Sequence, residues 1–279
     1  MSSVVKIENQ VENGKDTSAR KQGYKFVYAI GPYISIIALL IVWIIASGKN
    51  VKTFPTPWIV IQKIASLIVT PLSGATLIGH MLVSMRRVFI ALFFAIVIGV
   101  PFGILVGWNR AFRATFGALF ECIRPIPVLA WLPLIIMWFG IGENAKIIMI
   151  FIGSVMPIVV NSYTGIKLVA PLYLDVGKMF NASTQGQLLK NIVLPAALPT
   201  IFAGIRNATS VAWMVVLASE MLAAKSGLGF LINRGMEVFD ISLVMAGMIA
   251  IAVAGAFLSW IISFIERKVC PWNRGIMSE

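Results

Sequence analysis

Residues 192–199 read Ile-Val-Leu-Pro-Ala-Ala-Leu-Pro, placing Pro195 and Pro199 four positions apart among small and apolar residues. Proline removes a backbone donor and its ring clashes with the preceding helical turn, so a helix interior is a costly place for it. The octet lies between a polar, helix-like stretch, Lys178–Asn191, and a long apolar one, Ile201–Leu217. It therefore marks a border between a segment in water and one in a membrane. Proline is well placed in the first turn of a helix, where its missing N–H has no intrahelical partner. On this reading Pro195 closes a polar loop and Pro199 opens the span that follows.

Composition agrees with a membrane border. The chain has 279 residues, 59% of them hydrophobic and 12% charged, with a mean hydropathy of +0.91. Soluble domains carry roughly 45–50% apolar and about 25% charged residues, so the class expected is an all-α, polytopic membrane protein. The formal net charge of +12 would suggest nucleic acid in a soluble protein. Here the cations sit between apolar stretches, where they set topology and meet anionic lipid headgroups; no nucleic-acid partner is expected. Cys122 and Cys270 have neither metal-site nor redox spacing. The polar N-terminus has no short apolar core with a cleavage site, and is read as a tail rather than a cleavable signal peptide.

A transmembrane helix needs about 20 mostly apolar residues. Six candidates follow: Phe26–Ala46, Val88–Trp108, Pro125–Gly142 with Ala118–Phe120 as an extension, Ile147–Tyr163, Leu198–Met221 and Ile241–Ile265. The organisation expected is a tail at 1–25, a six-helix domain at 26–265 and a tail at 266–279. Six spans put both termini on one side, and the heavier share of Lys and Arg makes that side cytoplasmic. Gly48–Arg87 is then an outside loop with short amphipathic helices, and the loop at about 165–195 is cytoplasmic. In that loop Leu172, Val176, Met179 and Phe180, then Leu188 and Leu189, recur at helical spacing between polar residues. A one-sided helix of this kind either lies on the bilayer or docks in a partner's groove; the pattern favours neither.

The motifs argue against an enzyme. No phosphate-binding loop of the G-x-x-x-x-G-K-[ST] kind and no G-x-S-x-G elbow is present, and His80 is the only histidine. His80 reads as a bland interface residue. Polar residues inside the fourth and fifth spans say more, because such groups face protein or water rather than lipid. Asn161, Ser162, Asn207, Thr209, Ser210 and Ser219 either line a path or bond between helices. Glu220 is the notable acid, with Arg86 or Arg87 as its partner. Gly99, Gly103 and Gly107, and Ala246, Ala250 and Ala254, form every-fourth-residue rows that let helices approach closely.

With its flanks, from "NASTQGQLLKNIVLPAALPTIFAGIRNATS" through "VAWMVVLASEMLAAKSGLGFLI", the octet resembles the membrane-spanning permeases of ATP-binding-cassette importers, which carry a cytoplasmic "EAA" loop ending in I-x-LP. More narrowly it looks like the nitrate/sulfonate/taurine branch. "SMRRVFIALFFAIVIGVPFGILVGWN", "IRPIPVLAWLPLIIMWFGIGENAKI" and "ERKVCPW" carry the resemblance from about Pro57 to Trp272. Counting back from Leu194–Pro195 puts the family's loop glycine at Ala182 and its acidic triplet at Val176, Gly177 and Lys178. A one-residue shift uses Asn181 and Asp175–Gly177 instead, and neither register restores the glycine.

The resemblance implies a type I importer permease of MetI-like architecture in a bacterial cell (inner) membrane. Two copies would form a homodimer, two ATPase subunits would dock on the loop, and an extracytoplasmic binding protein would deliver substrate. This chain would hold no cofactor, ATP and Mg being bound by the ATPases. The docking residues carried over are Asp175, Val176, Gly177, Lys178, Met179, Phe180, Asn181, Ala182, Ser183, Gln185, Gly186, Leu188, Leu189 and Pro195. Asn161, Asn207, Ser210, Trp213 and Glu220 are assigned to the path. The cargo expected is a small anion such as a sulfonate, nitrate or bicarbonate, with a heteroaromatic vitamin precursor as the alternative. A secondary transporter is the competing class, although buried ionisable residues are few and no inverted repeat is evident.

Overall fold

A computed structural model describes residues 31, 33–48, 54–180 and 184–272. The tail at 1–25, the start of the first expected span, Asn181, Ala182, Ser183 and the final residues 273–279 lie outside the described residues. The chain divides into two units, 1–61 and 62–279. In the first, α1 (Tyr33–Ser47) is a short apolar helix, and Trp43 Nε1 donates to the Pro55 carbonyl at 3.1 Å. Helix α2 (Pro57–Val69) leads into the second unit. There follow α3 (Leu77–Trp108), α4 (Arg110–Ile123), a 3-10 turn (Val128–Trp131), α5 (Leu132–Phe139) and α6 (Glu143–Lys167). After these come α7 (Pro171–Met179), α8 (Gln185–Leu188), a π turn (Leu189–Val193), α9 (Leu194–Ala223), α10 (Leu228–Glu237) and α11 (Ile241–Val269). No strand occurs among the described residues.

Four described stretches are long and apolar enough to cross a membrane: Leu77–Trp108, Glu143–Lys167, Gln185–Leu222 and Ile241–Val269. The third expected span differs from the sequence reading. It is broken, with α4 and the segment Val128–Phe139 meeting at 90°. Two local features explain the start of this piece. Asn109 ends α3 and begins α4, its Oδ1 accepting from the amides of Ala111 and Phe112. Arg113 then folds back to donate to the carbonyls of Val106 and Gly107, filling acceptors that the end of α3 leaves without partners. Further on, Pro125 and Pro127 lie in the link where the chain turns, as proline is expected to enforce.

The glycine row of α3 packs within this chain, not on a ligand. A Cβ at Gly99 would meet Ile158 at 3.1 Å, at Gly103 Ser162 Cβ at 2.6 Å, and at Gly107 Ile166 Cβ at 2.9 Å. The partner numbers rise together, so α3 and α6 run parallel. α9 returns antiparallel: Gly153 faces Val215, Gly204 faces Asn161, and Gly165 faces Thr200. The amino ends of α3, α6 and α11 therefore share one end of the bundle with α10, and their carboxyl ends share the other with α7.

The octet itself requires a correction. Pro195 lies in the first turn of α9, but Pro199 is inside it, so the span opens four residues earlier than the proline pattern suggested. The border is not a break either, since residues from Gln185 to Leu222 run as one long helix. Its irregularity is the π turn, where the Leu194 amide bonds Leu189, five residues back. Pro199, lacking an N–H, leaves the carbonyl of Pro195 without its intrahelical donor. The two prolines thus loosen successive turns of one continuous helix instead of ending one helix and starting another.

At the α10 end, Asp240 caps α11 by accepting from the Leu243 amide at 3.0 Å and pairs with Lys63 at 2.6 Å. Burial raises its pKa, but Lys63 and the cap amides outweigh that, leaving the carboxyl below its ordinary value of 3.8. A depressed carboxyl contributes stability above its unfolded pKa that is lost as pH falls through the folded one. Removing it should therefore matter at neutral pH and vanish in strong acid. Asp240→Asn is expected to lower the thermal midpoint at pH 7, with the gap to the parent narrowing as pH falls below the carboxyl's ordinary value of 3.8; an equal gap at pH 7 and in strong acid would contradict this.

Candidate functional site

Three features stand out, at the two ends and along the middle of the bundle. The first is the loop after α6. Pro171 starts α7, where proline suits the first turn. Leu172, Met179 and Phe180 are 69%, 87% and 84% exposed, and Asp175, Val176 and Lys178 are exposed too. Gly177 faces inward, where any Cβ would run into Ile192. Leu188, also assigned to docking, is buried at 5% exposure and packs beneath Gly177. Gln185 and Gly186 are exposed, while Leu189 and Pro195 are half-buried. Thr184 and Gln187 form a reciprocal capping box that starts the second helical piece. A cleft of about 380 Å³ lies between α7 and the π turn, lined by Tyr173, Val176, Gly177, Phe180, Asn191 and Ile192.

The second feature is the uncovered face of α9. Asn207, Ser210 and Met214 are exposed at spacings of three and four, so they share one face. Trp213 and Glu220, assigned to the same path, are buried instead. Trp213 packs on Gly255 of α11, its indole N–H buried without a partner. Asn161 is half-buried and turned back onto its own helix, donating to Pro157 at 2.8 Å. The structure thus brings Asn207 and Ser210 together on an open face and places the other three in helix contacts.

The third is a buried ionic cluster at the α10 end. Of the two arginines offered as partners for Glu220, Arg87 takes it: both side chains are 1% exposed and 2.6 Å apart. Arg87 also holds Glu143 with two bonds, Nε at 2.8 Å and Nη2 at 2.5 Å, and donates to the Ser226 carbonyl at 2.9 Å. Glu220 further accepts from Ser84 at 2.8 Å and from the Gly229 amide at 2.9 Å. Ser84 accepts in turn from the Leu228 amide. Gly227 donates to His80 Nδ1 at 3.1 Å, so His80 Nε2 carries the proton and donates to Leu72. Gly227 has φ +120°, and a side chain there would collide with the Glu220 carboxylate; only glycine suits the position.

Arg87 therefore ties α3, α6, α9 and the start of α10 together. Sequence reading offered Arg87 as one of two partners, but missed Glu143 and Ser84 and gave His80 no role. A charge at the first residue of an apolar run was the available signal for Glu143. Nothing local marked Ser84. Among the described residues no group of histidine, cysteine or acidic side chains is arranged to hold a metal.

Comparison with known proteins decides what such a bundle is. Residues 99–272 match the family described as the binding-protein-dependent transport system inner membrane component. The chain belongs to this family. The permease is 32% identical to the taurine transport system permease protein of Escherichia coli (strain K12), covering 85% of this chain and 87% of that one. It is 33% identical to the nitrate import permease of Synechocystis sp., with 90% and 94% covered. Identity is 30% to the putative aliphatic sulfonates transport permease of Bacillus subtilis (strain 168), over 84% of each chain. The fold is shared with the inward-facing methionine ABC transporter MetNI, at a TM-score of 0.58 and 20% identity, covering 69% of the permease and 95% of that chain. The permease is thus a multi-pass membrane component of an ABC importer, and its family is a transport component rather than a catalytic enzyme.

Proposed function

We propose that two copies of this permease form the pathway of an importer for a small anion, driven by two ATPase subunits that dock on α7. The anion is inferred from the taurine, nitrate and sulfonate permeases that it resembles. A heteroaromatic cargo has no counterpart among these relatives. Both termini and the α7 loop are placed in the cytoplasm, following the bias of Lys and Arg. The binding protein would then meet the α10 end. ATP and Mg belong to the ATPases, and this chain supplies the helix that their closure moves.

The observation that carries the proposal is the uncovered apolar face of α7. Leu172, Val176, Met179 and Phe180 are exposed on a short helix, and apolar side chains rimmed by charge mark a contact surface. Helix-in-groove docking uses anchors at this spacing. Because α8, the π turn and α9 are continuous, a push on α7 is passed to the path through Leu188 and Ile192, which pack against Gly177. The loosened turns between Leu189 and Pro199 are where this motion would be absorbed.

A double substitution tests the docking. Met179→Asp with Phe180→Asp puts charge on two side chains that touch little within the chain, and is expected to reduce co-purification of the ATPase subunits at least about tenfold, a loss of about 1.4 kcal/mol. The thermal midpoint of the permease itself should be unchanged. Full ATPase retention by this variant would refute docking on α7. Leu188→Asp, by contrast, should unfold the loop, because Leu188 is an internal contact.

A further inference from the structure

Arg206 has no part in the docking face or the Arg87 cluster, yet it lies within an apolar helix. It is the only charged residue of α9 before Glu220. An ionisable side chain inside a membrane segment is a functional candidate by default, and its partner is part of the question. That partner is Glu266, near the far end of α11. The arginine side chain runs back along α9 toward its amino end, where Glu266 Oε2 accepts from Nη2.

Three details distinguish this pair from the Arg87 cluster. Arg87 is 1% exposed and has every side of its guanidinium engaged. The Arg206 side chain is 39% exposed, and its Nε is buried with no hydrogen-bond partner. Glu266 is thus seen to engage one edge nitrogen and leave the adjacent N–H unused. Thirdly, Arg206 shares its sector of α9 with the open polar face: at about 100° per residue, Arg206, Ser210, Met214 and Asn207 fall within about 100° of arc. Oxyanions, planar or tetrahedral, bind guanidinium best through two parallel N–H donors, and Nε with Nη2 form such a pair.

We propose that Arg206 is the anion-recognition residue of the path, with Glu266 as its resident counter-ion, which a travelling oxyanion displaces. This rests on the small-anion reading above. Once Glu266 withdraws and the guanidinium turns its Nε edge outward, a sulfonate, nitrate or carboxylate group would take both Nε–H and Nη2–H, satisfying the orphaned donor, while Asn207 and Ser210 supply neutral hydrogen bonds beside it. Return of Glu266 releases the anion and prevents the arginine from becoming a trap. Exchange of one anion for another keeps the arginine paired throughout, while the displaced Glu266 carboxylate waits unpaired beside it, which drives its return.

The test uses the complete importer in proteoliposomes, with taurine, nitrate and ethanesulfonate as probes. Arg206→Gln is expected to lower uptake of whichever probe the parent carries by at least about tenfold. The double variant Arg206→Gln/Glu266→Gln removes the unpaired carboxylate, so it should recover the parent's thermal midpoint but not its uptake. Glu266→Gln, with the arginine uncontested, should make uptake several-fold more sensitive to the same anion preloaded on the ATPase side. Parent-like uptake by the double variant would overturn the proposal and leave the pair a structural contact, as would unchanged sensitivity in Glu266→Gln. If the parent carries none of the three probes, the small-anion reading falls and this inference with it.

Discussion

Arg87→Ala is expected to be the most damaging single polar substitution in the permease. It strips a 1%-exposed carboxylate, Glu220, of its cation and breaks the two-bond hold on Glu143. Removing one partner of a buried pair costs about 3–5 kcal/mol, because the remaining charge stays desolvated. Nothing nearby is placed to compensate, since Arg86 and Lys146 reach Glu143 but not Glu220 among the described contacts. The measurement is the thermal midpoint of the purified permease in detergent. Arg87→Met combined with Glu220→Gln removes both buried charges, and should regain a substantial part of the loss, as replacement of a buried pair by uncharged groups often does. A single variant as stable as the parent would refute the ionic pairing of Arg87 with Glu220.

The second large effect belongs to the contact between α3 and α6. At Gly103 a Cβ would stand 2.6 Å from Ser162 Cβ and 2.7 Å from the Val159 carbonyl. The obstacle includes backbone, so no rotamer change relieves it. Gly103→Ala must part the two helices and is expected to cost about 1–3 kcal/mol, the usual range for overpacking. Gly103→Leu should prevent the bundle from assembling. Gly117 on α4 provides the control: its nearest neighbour would be Arg113 Cγ at 3.5 Å, an ordinary contact. Gly117→Ala should be neutral or slightly stabilising, through the unfolded chain and helix propensity. Yields of monodisperse protein and thermal midpoints would rank the three variants. Equal midpoints for Gly103→Ala and Gly117→Ala would refute the close approach.

The same two regions show how far a sequence can be read. The spacing of Gly99, Gly103 and Gly107 indicated a close helix approach, and that inference needed only the four-residue period of one helix face. The spacing could not name α6 as the neighbour, nor show that the two helices run parallel. The polar residues of the fifth span were visible as anomalies in an apolar run. Which of them stay open is a matter of rotation about the helix axis: Asn207 and Ser210 on one face, Trp213 and Glu220 turned into neighbours.

By itself the sequence determined the class of the protein, most of its apolar segments and the amphipathic character of the loop before Pro195. These properties are local, because hydropathy and periodicity are summed over a few turns of one chain segment. Tertiary structure decided the pairings, Arg87 with Glu143 and Glu220 across separations of 56 and 133 residues. It also decided that Leu188 faces inward and that Arg206 meets Glu266 with one donor left over. The octet at 192–199 shows the division most simply. Its prolines announced an irregular turn beside a membrane segment, but whether that turn would break the helix or widen it depended on packing against α7, which no run of eight residues contains.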